Sequence, residues 1–286
     1  MHWRWILAGA VLAGGLAAAA AGPEHVTLMS QRSSPQDLEI SGSVPGLAAG
    51  ASRFVSYAAL SQLPQVNVTV RNDENFTAPV QLSGVSLDAL LAALGVDGKD
   101  ALIAAVSTDG YEGHYTAAYR AAHHPFLVLK IDGKEPAQWK PGPEGEKYTP
   151  YVISEANFVP AFHVLAHKDM AQLPYGVTGL KLYPEKATLA ALAPKSGGAA
   201  AMQGYRIAMQ NCLRCHSAGS IGGTKSPFGW PQMGMIAQGN APAFGKYVVR
   251  PQAVNPEATM PANPEYDAAT VAAITAYFQS VAKSGP

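Results

Sequence analysis

The chain has 286 residues, with twenty Lys and Arg balanced by twenty Asp and Glu, so its net charge is zero and only 14% of it is charged. That balance excludes the basic surface on which nucleic-acid binding depends. The 48% of apolar residues supply cores for one large or two ordinary domains. Arg4 precedes an apolar run from Trp5 to Ala21, rich in Ala and Gly, that ends in small residues before Pro23 and Glu24. This pattern predicts a secretory signal peptide over residues 1–21, cleaved near Ala21, and hence a periplasmic protein. Retention of the segment would instead give membrane association, but the run falls short of the ~20 apolar residues of a spanning helix.

Short strands and turns follow. QVNVTV (65–70) alternates apolar and polar residues as a strand does. Ser86 is placed to cap a helix whose Leu87, Leu90, Leu91 and Leu94 share one face, and Gly95 is placed to stop it. ALIAAVSTDGY (101–111) and PFLVLKIDGKE (125–135) each read as a strand running into an Asp-Gly turn. YVISEA (151–156) and GVTGLKLY (176–183) are further strands. A β-rich domain over residues 45–190 results. The small, flexible stretch APKSGGAAA then marks a linker at 191–198, across which few contacts are expected.

Residues 199–286 have a different texture. MQGYRIAMQNCLRCH reads as a helix running into a motif, SAGSIGGTKSPFGWPQMG as a Gly- and Pro-rich loop, and DAATVAAITAYFQSVA (267–282) as a closing helix with Val271, Ile274, Phe278 and Val281 on one face. This segment is expected to fold as a unit of its own.

Cys212 and Cys215, the only cysteines, stand in Cys-Leu-Arg-Cys-His. In that spacing two thiols can add to the two vinyl groups of one haem, and the next residue, His216, supplies an iron ligand. A redox dithiol and a zinc half-site are the competing readings. Zinc requires further Cys or His ligands nearby, and no histidine follows His216. Of the downstream methionines, Met260 lies forty-four residues beyond His216, beside the stiffening Pro261, and is the candidate second iron ligand. Met233 and Met235 read as core filler.

On these residues the segment resembles a class I monohaem cytochrome c. GYRIAMQNCLRCH is similar to that family's first helix, VVRPQAVNPEATMP to its approach to the methionine ligand, and AITAYF to its last helix. The resemblance implies one covalent haem c on Cys212 and Cys215, with His216 and Met260 as axial ligands. It also implies a helix crossing at Gly204 with Tyr277 as aromatic neighbour, and a carbonyl from Pro227 for the His216 ring. Ala208 stands where the family often has an aromatic residue.

SYAALSQLPQVNVTV, LSGVSLDALLAALGV, STDGYEGHYTAA and LVLKIDGKEPA in turn resemble the molybdopterin-binding domain of the sulfite oxidase family. That family holds molybdenum through a cysteine after the VNVTV strand. RNDENFTAP stands there instead, so no molybdenum cofactor is expected. The expected fold class is therefore α+β: a β-rich, sulfite-oxidase-like domain followed by an all-α cytochrome c domain.

The remaining polar residues read as structural. His163 and His167, four apart, are surface or core histidines rather than metal ligands, and His123-His124 belong to a turn before Pro125. Asp109, Tyr111 and His114 surround a solvated Asp-Gly turn. The implied function is periplasmic electron transfer, with the β-rich domain docking a redox protein partner. A haem enzyme and a redox or gas sensor are the alternatives.

Overall fold

The computed structural model describes residues 25–284, so the leader over 1–21 lies outside the described residues. The chain opens with β1 (Leu38–Gly42), β2 (Ser52–Val55), α1 (Tyr57–Gln62), β3 (Gln65–Val70), β4 (Val80–Ser86) and α2 (Leu87–Ala93). It continues through β5 (Ala101–Ser107), β6 (Glu112–Tyr115), α3 (Ala117–His123), β7 (Phe126–Ile131), β8 (Val152–Ser154), the short hairpin strands β9 (His163–Val164) and β10 (His167–Lys168), and β11 (Val177–Pro184). The remaining elements are helical: α4 (Glu185–Leu192), α5 (Gly198–Asn211), α6 (Trp230–Gly239), α7 (Ala241–Val249) and α8 (Ala268–Ser284). Among the described residues, mostly antiparallel sheets with three short helices between their strands, followed by a run of five helices, make the fold α+β.

Local chemistry explains most boundaries. The Ser86 hydroxyl accepts from the Ala89 amide at 3.0 Å and starts α2, and Gly95 ends that turn at φ +69°. Asp132 and Gly133 both adopt positive φ, as a two-residue hairpin turn requires. The Asp267 carboxylate caps α8 by accepting from the Thr270 amide at 2.8 Å.

Two sheets form the first half, in strand orders β2-β1-β11-β5-β6 and β3-β4-β7-β8, with β1 and β11 parallel and the other pairs antiparallel. β1 pairs with β11 from Glu39 opposite Gly179 to Gly42 opposite Leu182, so this half begins before residue 45. Leu38, Ile40, Leu90, Leu127, Ile153 and Leu180 meet in one core. Phe126 and Val128 alternate with Leu127 to the opposite face, where they join Val70, Leu82 and Val152 in a smaller cluster.

β5 explains how the halves join. Ala101, Ile103 and Ala105 face the first core, while Leu102 enters the helical core with Ile207, Leu213, Trp230, Phe244, Ile274, Tyr277 and Phe278. The strand is apolar on both faces because it serves two cores. Val164 also enters the helical core, which Leu189 and Leu192 flank from α4. The expectation of few contacts across residues 191–198 therefore fails.

The helical half departs from expectation at WPQMG, which opens α6 instead of continuing a loop; α7 follows at once. Pro231 and Pro242 lie in the first turns, where a missing amide costs nothing. α5 and α8 cross at Gly204, where a Cβ would lie 2.0 Å from the Ala273 carbonyl oxygen. Gly204→Ala is expected to destabilise the protein by about 2 kcal/mol or more, read as a lower midpoint in urea unfolding. An unchanged midpoint would show that the crossing yields freely.

Candidate functional site

The last turn of α5 continues into the Cys-Leu-Arg-Cys-His motif. The Cys212 amide donates to the Ala208 carbonyl at 2.9 Å, and the Cys215 and His216 amides donate to the Cys212 carbonyl at 3.2 and 3.0 Å. One tight turn thus carries both thiols and the imidazole. Leu213, fully buried in the helical core, pins its inner side. The following loop folds back onto the motif: Gly223 donates to Leu213, Ser226 to Cys215 and Trp230 to Ser217, at 2.9, 3.0 and 2.8 Å.

His216 is oriented by the Phe228 carbonyl, which accepts from its Nδ1–H at 2.7 Å. The resemblance assigned this role to Pro227; the loop places the next carbonyl there instead. Burial holds the imidazole below the usual histidine range, so the ring is neutral and its Nε2 keeps a lone pair for a metal. Burial also pushes the Cys212 thiol up to about 12 and raises Cys215. Neutral thiols disfavour the redox-dithiol reading, which needs accessible thiolate. Both cysteines are free.

These residues fit a covalently held haem in further respects. Phe228, Met235 and Ile236, on the segment after the motif, leave large apolar side chains exposed. Trp230, whose backbone touches Ser217, holds a buried indole N–H with no acceptor, suited to an anionic haem substituent.

Met260 is half-buried on a loop that Gln252 fastens, its amide donating to the Ala258 and Met260 carbonyls at 3.0 and 2.9 Å. Met233 packs in the helical core as expected, whereas Met235 is 61% exposed and fills no core. Tyr277 lies one turn beyond Ala273, fully buried, with ring neighbours Tyr205 and Trp230 and a hydroxyl donating to the Leu192 carbonyl at 2.8 Å. Ala208 is fully buried in the same core.

The first half reaches directly into this site. The Glu112 amide donates to the Arg214 carbonyl at 2.9 Å, and the Thr224 amide to the Gly110 carbonyl at 2.7 Å. The Glu112 carboxylate accepts from the Gly222 amide at 2.9 Å and faces His114 at 3.2 Å, while Lys225 pairs with Asp109. Asp109 stays exposed at the Asp-Gly turn as expected, but Glu112 and His114 are buried, so the second half of DGYEGH forms an interface. The Arg214 guanidinium donates to the Gln210 carbonyl at 2.7 Å and to the Met170 and Ala171 carbonyls at 3.4 and 3.3 Å.

His123 differs from expectation, while His163 and His167 are one surface and one core histidine as expected. His123 ends α3, buried, with Nε2 2.7 Å from Asp169 Oδ2, and only His124 makes the turn, at φ +49°. His163 and His167 lie on a β-hairpin, the first exposed and the second buried against Gln210 at 2.6 Å. Spacing alone concealed the partners of His123 and His167, which come from distant segments.

After β3, Asp73 is buried, hydrogen-bonded to the Ser154 hydroxyl and accepting from the Asn75 amide. This oxygen and amide set does not match the thiolate-held metal of the resembled family, and no chemistry is assigned to molybdenum there. Among the described residues no three His, Cys, Asp or Glu side chains are grouped to hold a metal ion. A 430 Å³ cleft on the β-rich half is lined by Phe76, Trp139, Tyr148, Lys134 and Lys140, away from the motif.

No protein-family description matches the chain, and no curated protein matches it. Among solved structures, the sulfane dehydrogenase SoxCD from Paracoccus pantotrophus is similar at 15% identity and a TM-score of 0.34. The match covers 54% of this chain and 40% of that one, so the chain spans about two fifths of that protein's length.

Residues 197–286 produced alone should fail to fold cooperatively, contrary to the independence that their texture suggests. Removing the first half strips Leu102 and Val164 from the helical core, at about 1.5–3 kcal/mol each, together with the hydrogen bonds to the motif. A sharp thermal transition in the fragment, matching that of the whole protein, would overturn this expectation.

Proposed function

We propose that this protein is an exported, periplasmic one-electron carrier with one haem c, bound through Cys212 and Cys215 and ligated by His216 and Met260. The observation that carries the reading is the oriented, neutral His216 on the same turn as two free thiols. When bound, haem supplies an iron that cycles between ferric and ferrous states. The chain's own residues do the rest. Cys212 and Cys215 fix the group to the turn, and Phe228 holds the His216 ring through its carbonyl, which raises the basicity of the opposite nitrogen. Met260 offers a thioether from a loop tied down by Gln252, and Trp230 offers its unpaired N–H. The helical half reads as a class I cytochrome c domain on this basis.

The β-rich half holds the attachment turn in place and offers the remaining surface for a redox protein partner. A second reading, in which this half binds a substrate, is favoured by the aromatic and lysine-lined cleft at Phe76 and Trp139; titration with small aromatic acids, followed by the fluorescence of Trp139, would test it.

Exported protein should keep a haem stain through a denaturing gel and carry about one iron per chain. Replacing both Cys212 and Cys215 by Ala should abolish the stain, and a surviving stain would exclude the attachment. Met260→Ala should remove the far-red thioether–iron absorption of the ferric protein, while Met233→Ala and Met235→Ala should leave it. Loss with Met235→Ala alone would transfer the ligand role to that residue.

A further inference from the structure

A file of buried polar side chains runs from the β-rich half to the attachment turn. At its far end is Glu155, just after β8 and 3% exposed. Its Oε1 accepts from the Tyr119 hydroxyl at 2.6 Å, and its Oε2 is buried with no partner. The Tyr119 ring packs tilted against His123, centroids 4.4 Å apart, and His123 meets Asp169 at 2.7 Å. The other Asp169 oxygen accepts from the Gln210 amide, whose carbonyl oxygen lies 2.6 Å from His167 Nε2. His167 Nδ1 lies 3.5 Å from the Asn211 amide nitrogen, and Asn211 is the neighbour of Cys212.

We propose that Glu155 is a redox-linked proton site, which takes up a proton when the iron is reduced and releases it when the iron is oxidised. The proposal rests on the haem reading. The electron comes from an external one-electron donor and ends on the iron; the proton comes from solvent and ends on a Glu155 carboxylate oxygen. The only bond formed is that O–H bond, and reoxidation reverses both transfers.

Three features support this assignment. An ionised carboxylate with one bare oxygen is costly in an interior, so the neutral acid is the better occupant of this environment. Burial pushes Glu155 up to about 7, which brings its titration into the physiological range. The intervening path is built of buried side chains, so a unit change of charge at the motif is weakly screened along it. Ferric iron adds positive charge and favours the carboxylate, whereas ferrous iron favours the acid.

The charged and titratable groups around the file are accounted for. Asp73 and Asp169 face Glu155 and favour its proton, while the Tyr119 hydroxyl, itself accepting from the Gln172 amide at 2.8 Å, favours its carboxylate; the buried Tyr115 hydroxyl also faces it. His123 packs behind Tyr119. Arg214 and Glu265 act on His167 at the near end in opposite senses, and burial keeps that ring below the usual histidine range.

The test is a spectroelectrochemical titration of the whole, haem-loaded protein at several pH values through neutrality, with infrared redox-difference spectra. The midpoint potential should fall as pH rises, because reduction consumes a proton. The reduced protein should show a protonated carboxylic C=O stretch. Glu155→Gln should flatten the pH dependence and remove that stretch without altering the ligation spectrum. Tyr119→Phe, which keeps the ring and removes the hydrogen bond, should shift both. A pH-independent potential in haem-loaded wild-type protein overturns the proposal, as does persistence of the slope in Glu155→Gln. Wild-type protein that never acquires covalent haem overturns the haem reading and this proposal together.

Discussion

The backbone pairing of Arg214 with Glu112 is the contact on which the rest of the arrangement depends. Arg214 is one of the two residues between the cysteines, and its carbonyl accepts from the first residue of β6. β6 is the edge strand of its sheet, so its outer hydrogen-bonding groups need a partner. The cysteine-bearing turn supplies one, and the loop after it bonds the preceding turn through Thr224 and Gly110. Close approach is possible because Gly223 lacks a side chain: a Cβ there would lie 2.0 Å from the Arg214 carbonyl oxygen. The turn that carries the thiols is thus an extension of the first half's sheet as much as the end of a helix.

That dual membership explains which features were legible in the sequence. β3, α2 with its Ser86 cap, β5, β7 and α8 are local structures, set by period, caps and turn residues, and they lie where these signals put them. The thiol spacing is equally local, whereas the Gly204 crossing joins distant helices and was legible only through the family resemblance. The seam was hidden because it is made of long-range pairs: Glu112 with Gly222, His123 with Asp169, His167 with Gln210. No spacing rule joins residues so far apart in the chain. The Ala- and Gly-rich break at 193–201 was misleading for a related reason. A flexible connection says nothing about whether the units it joins also pack, and here Leu102 and Leu192 carry apolar surface across it.

α6 and α7 were obscured by composition. Gly229-Trp230-Pro231 and Ala241-Pro242 look like loop chemistry, yet proline at a first helical turn loses no hydrogen bond. Gly234 inside α6 is explained by packing, since a Cβ there would lie 3.0 Å from the Phe278 carbonyl oxygen of α8. Residues that weaken a helix in isolation allow this one to approach its neighbour closely.

Buried charge separates what the interior requires structurally from what it leaves unfinished. Arg120 is 1% exposed, yet its guanidinium is fully used: it pairs with Asp88 at 2.7 Å and donates to the Ala101 and Tyr115 carbonyls at 2.6 and 2.9 Å, and to that of Gly98. A charge so well satisfied locks α3 to its surroundings. Asp169 is similar, with three donors from Gln210, His123 and the Ala161 amide. Glu155 differs because one carboxylate oxygen has a donor and the other has none. In a chain with so few charges, this half-satisfied carboxylate at the end of a polar file stands apart from the fully bonded buried charges. The proton site proposed at Glu155 thus lies on the same seam that holds the thiol-bearing turn.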